Sequence, residues 1–145
     1  MIAYPVADAA TVLRMARDLA ASAPDELVLV AVVGTNRQTG APVAFISACF
    51  QGPAAAGERI LEPLRRTIPP VMDALRPLSY SEMQATFPLM PFGLRHYWKG
   101  SFATDLPDHT IEAAVDHFQH RPGPSFSALL FEFNMDFDMR LWCVR

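Results

Sequence analysis

Residues 27–33 read Leu-Val-Leu-Val-Ala-Val-Val, an unbroken apolar run that is rich in β-branched side chains. Such a run is typical of a strand that lies on the core face of a sheet or is covered on both faces. Residues 34–40 form a polar stretch with a glycine at each end, and residues 42–50 return to a mostly apolar pattern. We therefore predict a β-hairpin with a long loop over residues 27–50.

The segment before this hairpin predicts a strand followed by a helix. Residues 1–5 are a short apolar run of the kind found in strands. Over residues 9–23, apolar side chains recur at helical spacing and the charged ones fall on the other side, which indicates an amphipathic helix. Asp8 stands where this helix would begin, and we expect its carboxylate to accept hydrogen bonds from the free N–H groups of the first turn.

A second helix is predicted after the hairpin, where residues 56–68 carry an apolar stripe at helical spacing. Pro63 falls inside this stretch. Because an internal proline loses a hydrogen bond and clashes with the preceding turn, we expect a kink or a break near Glu62. Two prolines end the helix, after which residues 71–79 predict another extended piece and residues 81–87 a helical turn.

The resulting order, β-α-β-β-α-β, is that of the split βαβ or ferredoxin-like arrangement. The rest of the chain predicts a strand at 92–104, a third helix over 105–121, and strands at 126–133 and 139–144. We therefore predict a single α+β domain over residues 1–145. It would contain a ferredoxin-like antiparallel sheet of about six or seven strands with the helices on one face.

Composition limits the classes of function. Apolar residues make up 51% of the 145 residues and the formal net charge is −3, which is typical of one globular domain. No block of basic residues is present, so the sequence indicates neither nucleic acid nor an anionic membrane as a partner. There is no apolar run of about 18 residues and no signal-peptide pattern. We interpret Cys49 and Cys143 as free thiols of a protein in the reducing cytoplasm.

Several segments of the chain resemble bacterial FAD-linked oxidases of the berberine-bridge group. Residues 57–65, GERILEPLR, are similar to the family's "GE…LAPLR" helix, and residues 77–84, PLSYSEMQ, to its "PMPY…LQ" segment. Residues 94–102, LRHYWKGSF, resemble the "R-x-YWKS-x-F" strand that leads into a helix in that family. Shorter likenesses lie at Tyr4-Pro5, at 23–26 and at 122–130, in the family's order.

The resemblance implies that the chain is the substrate-binding (cap) domain of such an oxidase. In the family, the flavin N5 accepts a hydride from an alcohol or amine carbon, and this domain supplies a sheet that roofs the isoalloxazine. The FAD-binding domain is not among these residues, which contain no dinucleotide or phosphate motif. FAD is therefore implied only through a missing domain or a partner, and we expect no catalysis by the chain alone.

The resemblance also selects candidate substrate-pocket residues, which are Arg95, Tyr97, Lys99, Tyr80 and Gln84. If residues 95–100 form a strand, the first three of these share one face, while His96 and Trp98 share the other. A tyrosine beside a lysine could hydrogen-bond a substrate hydroxyl or amine and favour loss of its proton. The alternative is that the aromatic side chains pack in a core or an interface and that Lys99 is solvated.

The absence of the flavin domain has a consequence for partners. Residues 133–140 no longer resemble the family, and the strand that precedes Met1 in the family is also missing. We expect an unpaired strand edge and an open apolar sheet face, and hence a homodimer or a separately encoded FAD-binding domain as the partner. The alternative is a stand-alone ferredoxin-like module that uses the open face to bind a small-molecule ligand or a protein.

Two short clusters of histidine or acidic residues contain side chains that can bind metals. His117 and His120 are three residues apart on a predicted helix, with Asp116 four residues before His120. All three fall on the polar face and the spacing places no further ligand, so we interpret them as a solvated surface. The pair Asp136 and Asp138 is too short for a calcium loop. We therefore predict no metal site in the chain, and we assign no catalytic residue beyond the substrate-pocket candidates.

Overall fold

The structure is a computed structural model that describes residues 1–36, 39–86, 95, 97–121, 128–134 and 137–144. Its strands are β1 Ile2–Pro5, β2 Leu27–Thr35, β3 Pro42–Phe50, β4 Met72–Asp73, β5 Trp98–Ala103, β6 Ala128–Asn134 and β7 Phe137–Val144. Its helices are α1 Ala9–Ser22, α2 Ala54–Arg66, α3 Tyr80–Thr86 and α4 Asp108–Gln119. The predicted α+β class is confirmed. None of the described helices is long and apolar enough to cross a membrane.

The described strands form one sheet in the order β4-β1-β3-β2-β6-β7-β5, and every neighbouring pair is antiparallel. The predicted hairpin is its centre, since β2 and β3 pair along their whole length from Leu27 with Phe50 to Thr35 with Pro42. In the connection, Gly40 has a φ of 72°, a left-handed conformation that glycine adopts without steric cost. The β-branched run at 27–33 is therefore a strand with a partner on each side.

Alternation along β2 divides the sheet into two faces. Leu29, Ala31 and Val33 are fully or almost fully buried, and their cross-strand neighbours on β3 and β6 lie on the same face. The helices cover this face, which we call the helix side. Its buried core combines side chains of the sheet with those of α1 and α4, among them Tyr4, Val12, Leu13, Ile46, Ile111, Val115, Phe118 and Phe131. Burial of these side chains is the main stabilising term of the fold.

Helix α2 is joined to the sheet by a buried hydrogen bond. The hydroxyl of Tyr4, on the helix side of β1, donates to the main-chain carbonyl of Leu64 at 2.6 Å. Leu64 is itself fully buried, near the end of α2. Its carbonyl is one of the last four of the helix, which lack a partner within the helix. The hydroxyl of Tyr4 therefore satisfies a carbonyl that the end of α2 would leave unpaired.

The predicted cap at Asp8 is wrong, and of the kink or break predicted near Glu62 the break is wrong. Asp8 occupies the cap position of α1, but its carboxylate accepts no capping hydrogen bond. A short 3-10 turn, Val6–Asp8, leads directly into the helix, and the amide of Ala9 already donates to the carbonyl of Val6. Helix α2 is not broken near Glu62, because it continues through Pro63 to Arg66. Pro63 lies on the exposed side of the helix, so water can solvate the carbonyl that loses its partner there.

Other predicted elements differ in extent. The extended piece at 71–79 contains only the two-residue strand β4, which pairs with Ile2 and Ala3. The predicted strand at 92–104 is represented by β5, and residues 92–94 and 96 lie outside the described residues. Residues 126–127 of the next predicted strand also lie outside them. The third helix is confirmed as α4, which buries Ile111, Val115 and Phe118.

An ion-pair network links α1 to the beginning of α4. Asp108 lies 2.7 Å from Arg17 Nη1 and 3.2 Å from Arg14 Nε, and Arg14 also lies 2.7 Å from Glu112. Arg17 donates a further hydrogen bond to the carbonyl of Leu106 at 2.9 Å. The hydrogen bond from Arg17 is the main reason that the pKa of Asp108 lies below its usual range. The network therefore fixes the turn that leads from β5 into α4.

We expect Asp108→Asn to lower the melting temperature at neutral pH, and the difference from the native chain to shrink in acid. A carboxyl group whose pKa is lowered by folding stabilises the native state above its unfolded pKa of about 3.9. This stabilisation is lost as the pH falls through the folded pKa. Thermal unfolding between pH 7 and pH 2 measures the effect, with Asp25→Asn at an exposed position as the control. A constant difference across this range would contradict the role of the ionised carboxylate.

Candidate functional site

The sheet surface opposite the helices carries a band of apolar side chains, which we call the open face. Among the residues described, no helix packs on it. By the alternation of each strand it includes Val28, Val30 and Val32 of β2, Phe45 of β3, Leu130 of β6, and Trp98 and Phe102 of β5. Val32, which lies between Phe45 and Leu130, is buried. The side chains of Val28, Val30, Phe45 and Leu130 are only half-buried. Trp98 is 42% exposed and Phe102 is 64% exposed.

Among the strand residues whose side chains the structure describes, few on the open face are polar. Ser47 and Cys49 of β3 lie opposite Val30 and Val28, and Glu132 of β6 lies on the other side of Val30. Cys49 is a free cysteine. A flat surface of aliphatic and aromatic groups can exclude water from a planar apolar ligand and stack against it, but it has few groups for proton transfer.

Three of the predicted site residues lie at the beginning of β5. Arg95 and Tyr97 precede the strand and are exposed, with Tyr97 at 55%, and Lys99 is an exposed residue within it. The pairing of β5 with β7 and of β7 with β6 places Lys99 on the same side as Leu129, which is the helix side. The structure therefore places Trp98 and Phe102, but not Lys99, on the open face. His96 lies outside the described residues.

The other two predicted residues lie on α3. Tyr80 is 75% exposed and lines a cleft of about 560 Å³, and Gln84 is exposed nearby on the same helix. The cleft is bounded by the end of β3, by α2 and by residues 75–83. Across the sheet, β3 and β5 are four strand spacings apart. Along the strand direction, the end of β3 is about six residues away from the position of Trp98. At ~4.8 Å per strand and ~3.3 Å per residue, the two groups are roughly 25–30 Å apart and do not form one site.

Hydrogen bonds between Ser79 and Glu82 hold in place the wall of the cleft that carries Tyr80. The main-chain amide and the hydroxyl of Ser79 both donate to the carboxylate of Glu82, at 2.8 and 2.7 Å, and the amide of Glu82 faces the same hydroxyl at 3.4 Å. This is the reciprocal pattern of a capping box, which the spacing Ser-x-x-Glu permits. It fixes the first turn of α3 and lowers the pKa of Glu82, chiefly through the hydrogen bond from the amide of Ser79.

An ion pair fixes the other part of that wall. Arg65 Nε lies 2.6 Å from Asp73 Oδ2, and Arg65 Nη2 donates to the carbonyl of Leu75 at 3.1 Å. The hydrogen bond from Arg65 is the largest cause that holds the pKa of Asp73 below its usual range. The ion pair links α2 to β4 and to the chain that follows β4. Both charges are already engaged, so Arg65 serves the wall of the cleft rather than an anionic ligand.

His117 and His120 of α4 are exposed to solvent. His120 Nδ1 lies 2.9 Å from the carbonyl of Asp116 and 3.2 Å from its carboxylate, and both side chains are strongly exposed. Over the parts of the chain that the structure covers, no three His, Cys, Asp or Glu side chains come together in a way that could hold a metal ion.

The sequence predicted an open apolar sheet face but did not assign Trp98 and Phe102 to it, and it did not predict the cleft. The exposure of Trp98 and Phe102 follows from alternation, with Gly100 between them, once β5 is known to be a sheet strand. The cleft depends on which strands are neighbours, and no local pattern contains that information. No known protein-family model matches the chain, and no curated protein matches it.

Proposed function

We propose that this chain is the substrate-side domain of an FAD-linked oxidoreductase of the berberine-bridge type. In this proposal the open face lies over a flavin that is held by residues outside these 145. The observation that supports it is an apolar, aromatic sheet surface on the side of the sheet away from the helices. Exposed apolar side chains on a sheet surface are typical of interaction sites.

The residues present fit contact with the flavin ring and the substrate, but they do not fit binding of the nucleotide part of FAD. The described part of the open face is apolar and aromatic, which suits contact with a planar ring system and a substrate. The sequence has no glycine-rich phosphate cradle, so the nucleotide part of FAD would be held elsewhere. When bound, the flavin supplies the redox chemistry, and this domain supplies orientation and exclusion of water.

The exposed side chains in and next to β5 have different roles in this proposal. Trp98 and Phe102 would pack against the apolar part of the substrate and exclude water from it. Tyr97, whose side chain is exposed at the rim, would hydrogen-bond the substrate hydroxyl or amine. Lys99 lies on the helix side, so it would act at the rim of the site and not against the substrate.

We also propose that the first part of the chain is a ferredoxin-like unit. Its four strands lie in the order β4-β1-β3-β2, with α1 between β1 and β2 in sequence and α2 between β3 and β4. This connectivity is that of the split βαβ arrangement. Strands β6, β7 and β5 extend the same sheet beyond β2 and widen the face that the proposal assigns to the flavin.

Two neighbouring substitutions on β5 test the proposal. We expect Phe102→Asp, on the open face, to weaken capture of a flavin-bearing partner from an extract of the native host by at least about tenfold, roughly 1.4 kcal/mol. A buried carboxylate at the centre of an apolar contact is costly. Ser101→Asp, on the opposite side of the same strand, is the matched control and should capture as much as the native chain. The measurement is the flavin released by acid from the tagged, purified material.

The outcomes distinguish a flavin-bearing partner from a second copy of the chain as the molecule that covers the open face. Flavin that is captured by the native chain and lost with Phe102→Asp alone supports it. Capture without flavin, or equal loss with both variants, would contradict it. If the native chain forms a dimer, captures no flavin, and loses the dimer with Phe102→Asp, the partner of the open face is a second copy of the chain. Light scattering across a dilution series measures this self-association.

A further inference from the structure

A segment at one end of the sheet, residues 71–85, has no buried side chain, and we call it the strap. It contains the two-residue strand β4 and most of α3. Of its described residues only Leu75 packs against the core, and Leu75 is half-buried. Helices α1 and α4, by contrast, bury four and three side chains. Burial of apolar side chains therefore contributes little to holding the strap in place.

Main-chain hydrogen bonds attach the first part of the strap to β1. The amide of Val71 donates to the carbonyl of Ala3 at 2.8 Å, and the amide of Ala74 donates to the carbonyl of Met1 at 2.9 Å. Strand β4 itself pairs with only two residues of β1. The two residues before the strap are prolines, which have no N–H group to add to this pairing. Such a short pairing provides few hydrogen bonds, and the net free energy of each is modest.

Arg65 of α2 binds the strap through a cluster of charge-assisted hydrogen bonds, which we call the latch. Its Nε lies 2.6 Å from Oδ2 of Asp73, and its Nη2 lies 3.4 Å from Oδ1 of the same carboxylate. Nη2 also donates to the carbonyl of Leu75 at 3.1 Å, while the amide of Leu75 donates to Asp73 Oδ1 at 3.0 Å. One guanidinium group therefore holds both a carboxylate and a main-chain carbonyl of the strap, and hydrogen bonds of this charged type are among the stronger ones in proteins.

The latch joins a fixed residue to a segment that is not anchored by burial. Arg65 follows Leu64, which is fully buried and whose carbonyl accepts the 2.6 Å hydrogen bond from Tyr4. On the other side, the hydrogen bonds from Ser79 to the carboxylate of Glu82 lie within the strap, so they can persist when it moves. A segment with its own internal contacts and few buried apolar side chains has the properties of a unit that opens locally.

Opening of the strap would change two surfaces of the molecule. Residues 75–80 and Met83 line the cleft opposite the end of β3, so opening would remove this wall of the cleft. It would also expose the main-chain groups of Met1 and Ala3 that now pair with the strap. Unpaired main-chain groups at a sheet edge can pair with another chain. The latch therefore controls both the shape of the cleft and the exposure of the edge of β1.

We propose that the strap opens as a unit while the rest of the domain stays folded, and that the ion pair between Arg65 and Asp73 is the latch that keeps it closed. The open state keeps the core between the sheet, α1 and α4, because no strap residue belongs to the buried residues of that core. The proposal is independent of the function proposed for the open face, since the strap lies at the β4 end of the sheet and β5 at the other end.

Native-state amide hydrogen exchange tests this proposal. The protection factors of Val71 and Ala74 should lie at least about a hundredfold below that of Ala31, whose strand has partners on both sides. Asp73→Asn should lower the protection of both strap amides by at least about fivefold, because it removes the charge of the latch. Arg65→Met should have the same effect, and the double variant should add no more than about twofold, since both changes remove one ion pair. Unchanged protection in either single variant would overturn the proposal.

Asp108→Asn supplies the control that distinguishes opening of the strap from unfolding of the whole domain. It weakens the ion-pair network between α1 and α4, which includes no strap residue, and should therefore lower the protection of Ala31. The protection of Val71 and Ala74 should stay within about twofold of the native chain, because the strap opens while that network is intact. Loss of protection by the same factor at all three amides would overturn the proposal, because the strap would then open only when the whole domain unfolds.

Discussion

Phe131→Ala is expected to lower the free energy of unfolding by about 3–5 kcal/mol, the range for removal of a buried phenylalanine side chain. Phe131 is fully buried, lies opposite Ala31 of β2, and belongs to the core that joins the sheet to α1 and α4. Because the small side chain of Ala31 cannot fill the space, the substitution leaves a cavity. A domain of this size has roughly 5–15 kcal/mol of total stability, so the variant would be close to unfolding.

Urea denaturation followed by circular dichroism measures this loss. Phe102→Ala is the matched control, because it removes the same side chain from a position on the same sheet that is 64% exposed. We expect the control to change the free energy of unfolding by less than about 1 kcal/mol. Equal effects of the two substitutions would mean that the core does not lie on the helix side of the sheet.

Tyr4→Phe is expected to cost about 1–3 kcal/mol although it removes a single oxygen atom. The substitution leaves the carbonyl of Leu64 buried and without the 2.6 Å hydrogen bond that it now accepts. A buried carbonyl without a hydrogen-bond partner has lost its contact with water and gains no bond in return, which costs free energy. A hydroxyl that is exposed to water has no such buried partner, so its removal costs little. Tyr80→Phe, at an exposed position, is the control and should leave the melting temperature nearly unchanged.

Tyr4 also makes the free energy of unfolding depend on pH in the alkaline range. Burial, more than the nearby carboxylate of Asp73, raises the pKa of Tyr4 to about 12. In the unfolded chain the phenol ionises at a pKa of about 10, so its stabilisation is complete below pH 10 and is lost as the pH rises towards 12. Tyr4→Phe should remove this part of the alkaline loss of stability. An unchanged alkaline profile in the variant would contradict the buried hydrogen bond.

Elements with a strong local pattern were predictable from the sequence. The β-branched run at 27–33 and the helical stripes of α1 and α4 contain the periodicity of the structure that they form. Pro63 and Asp8 were not predictable in the same way. Whether a proline breaks a helix depends on which side of the helix faces water, and whether a carboxylate caps one depends on the turn that precedes it.

The candidate site was less predictable than the fold. Alternation indicated that Lys99 and Trp98 lie on opposite sides of a strand, but not which side the helices cover. Tyr80 and Tyr97 are 17 residues apart in sequence, yet the sheet order places their surroundings at opposite corners of the molecule. The cleft exists because β3 and the chain after β4 both extend past the start of β1, a property of the register of three strands.

Our central proposal is that the open face of this chain covers a flavin that is held by another polypeptide. The most direct test is the visible absorption spectrum of the 145-residue chain, purified after expression with excess FAD. The account predicts a colourless protein that becomes yellow only when a second, FAD-binding polypeptide is purified with it. Bound isoalloxazine in the chain without any second polypeptide would contradict the claim.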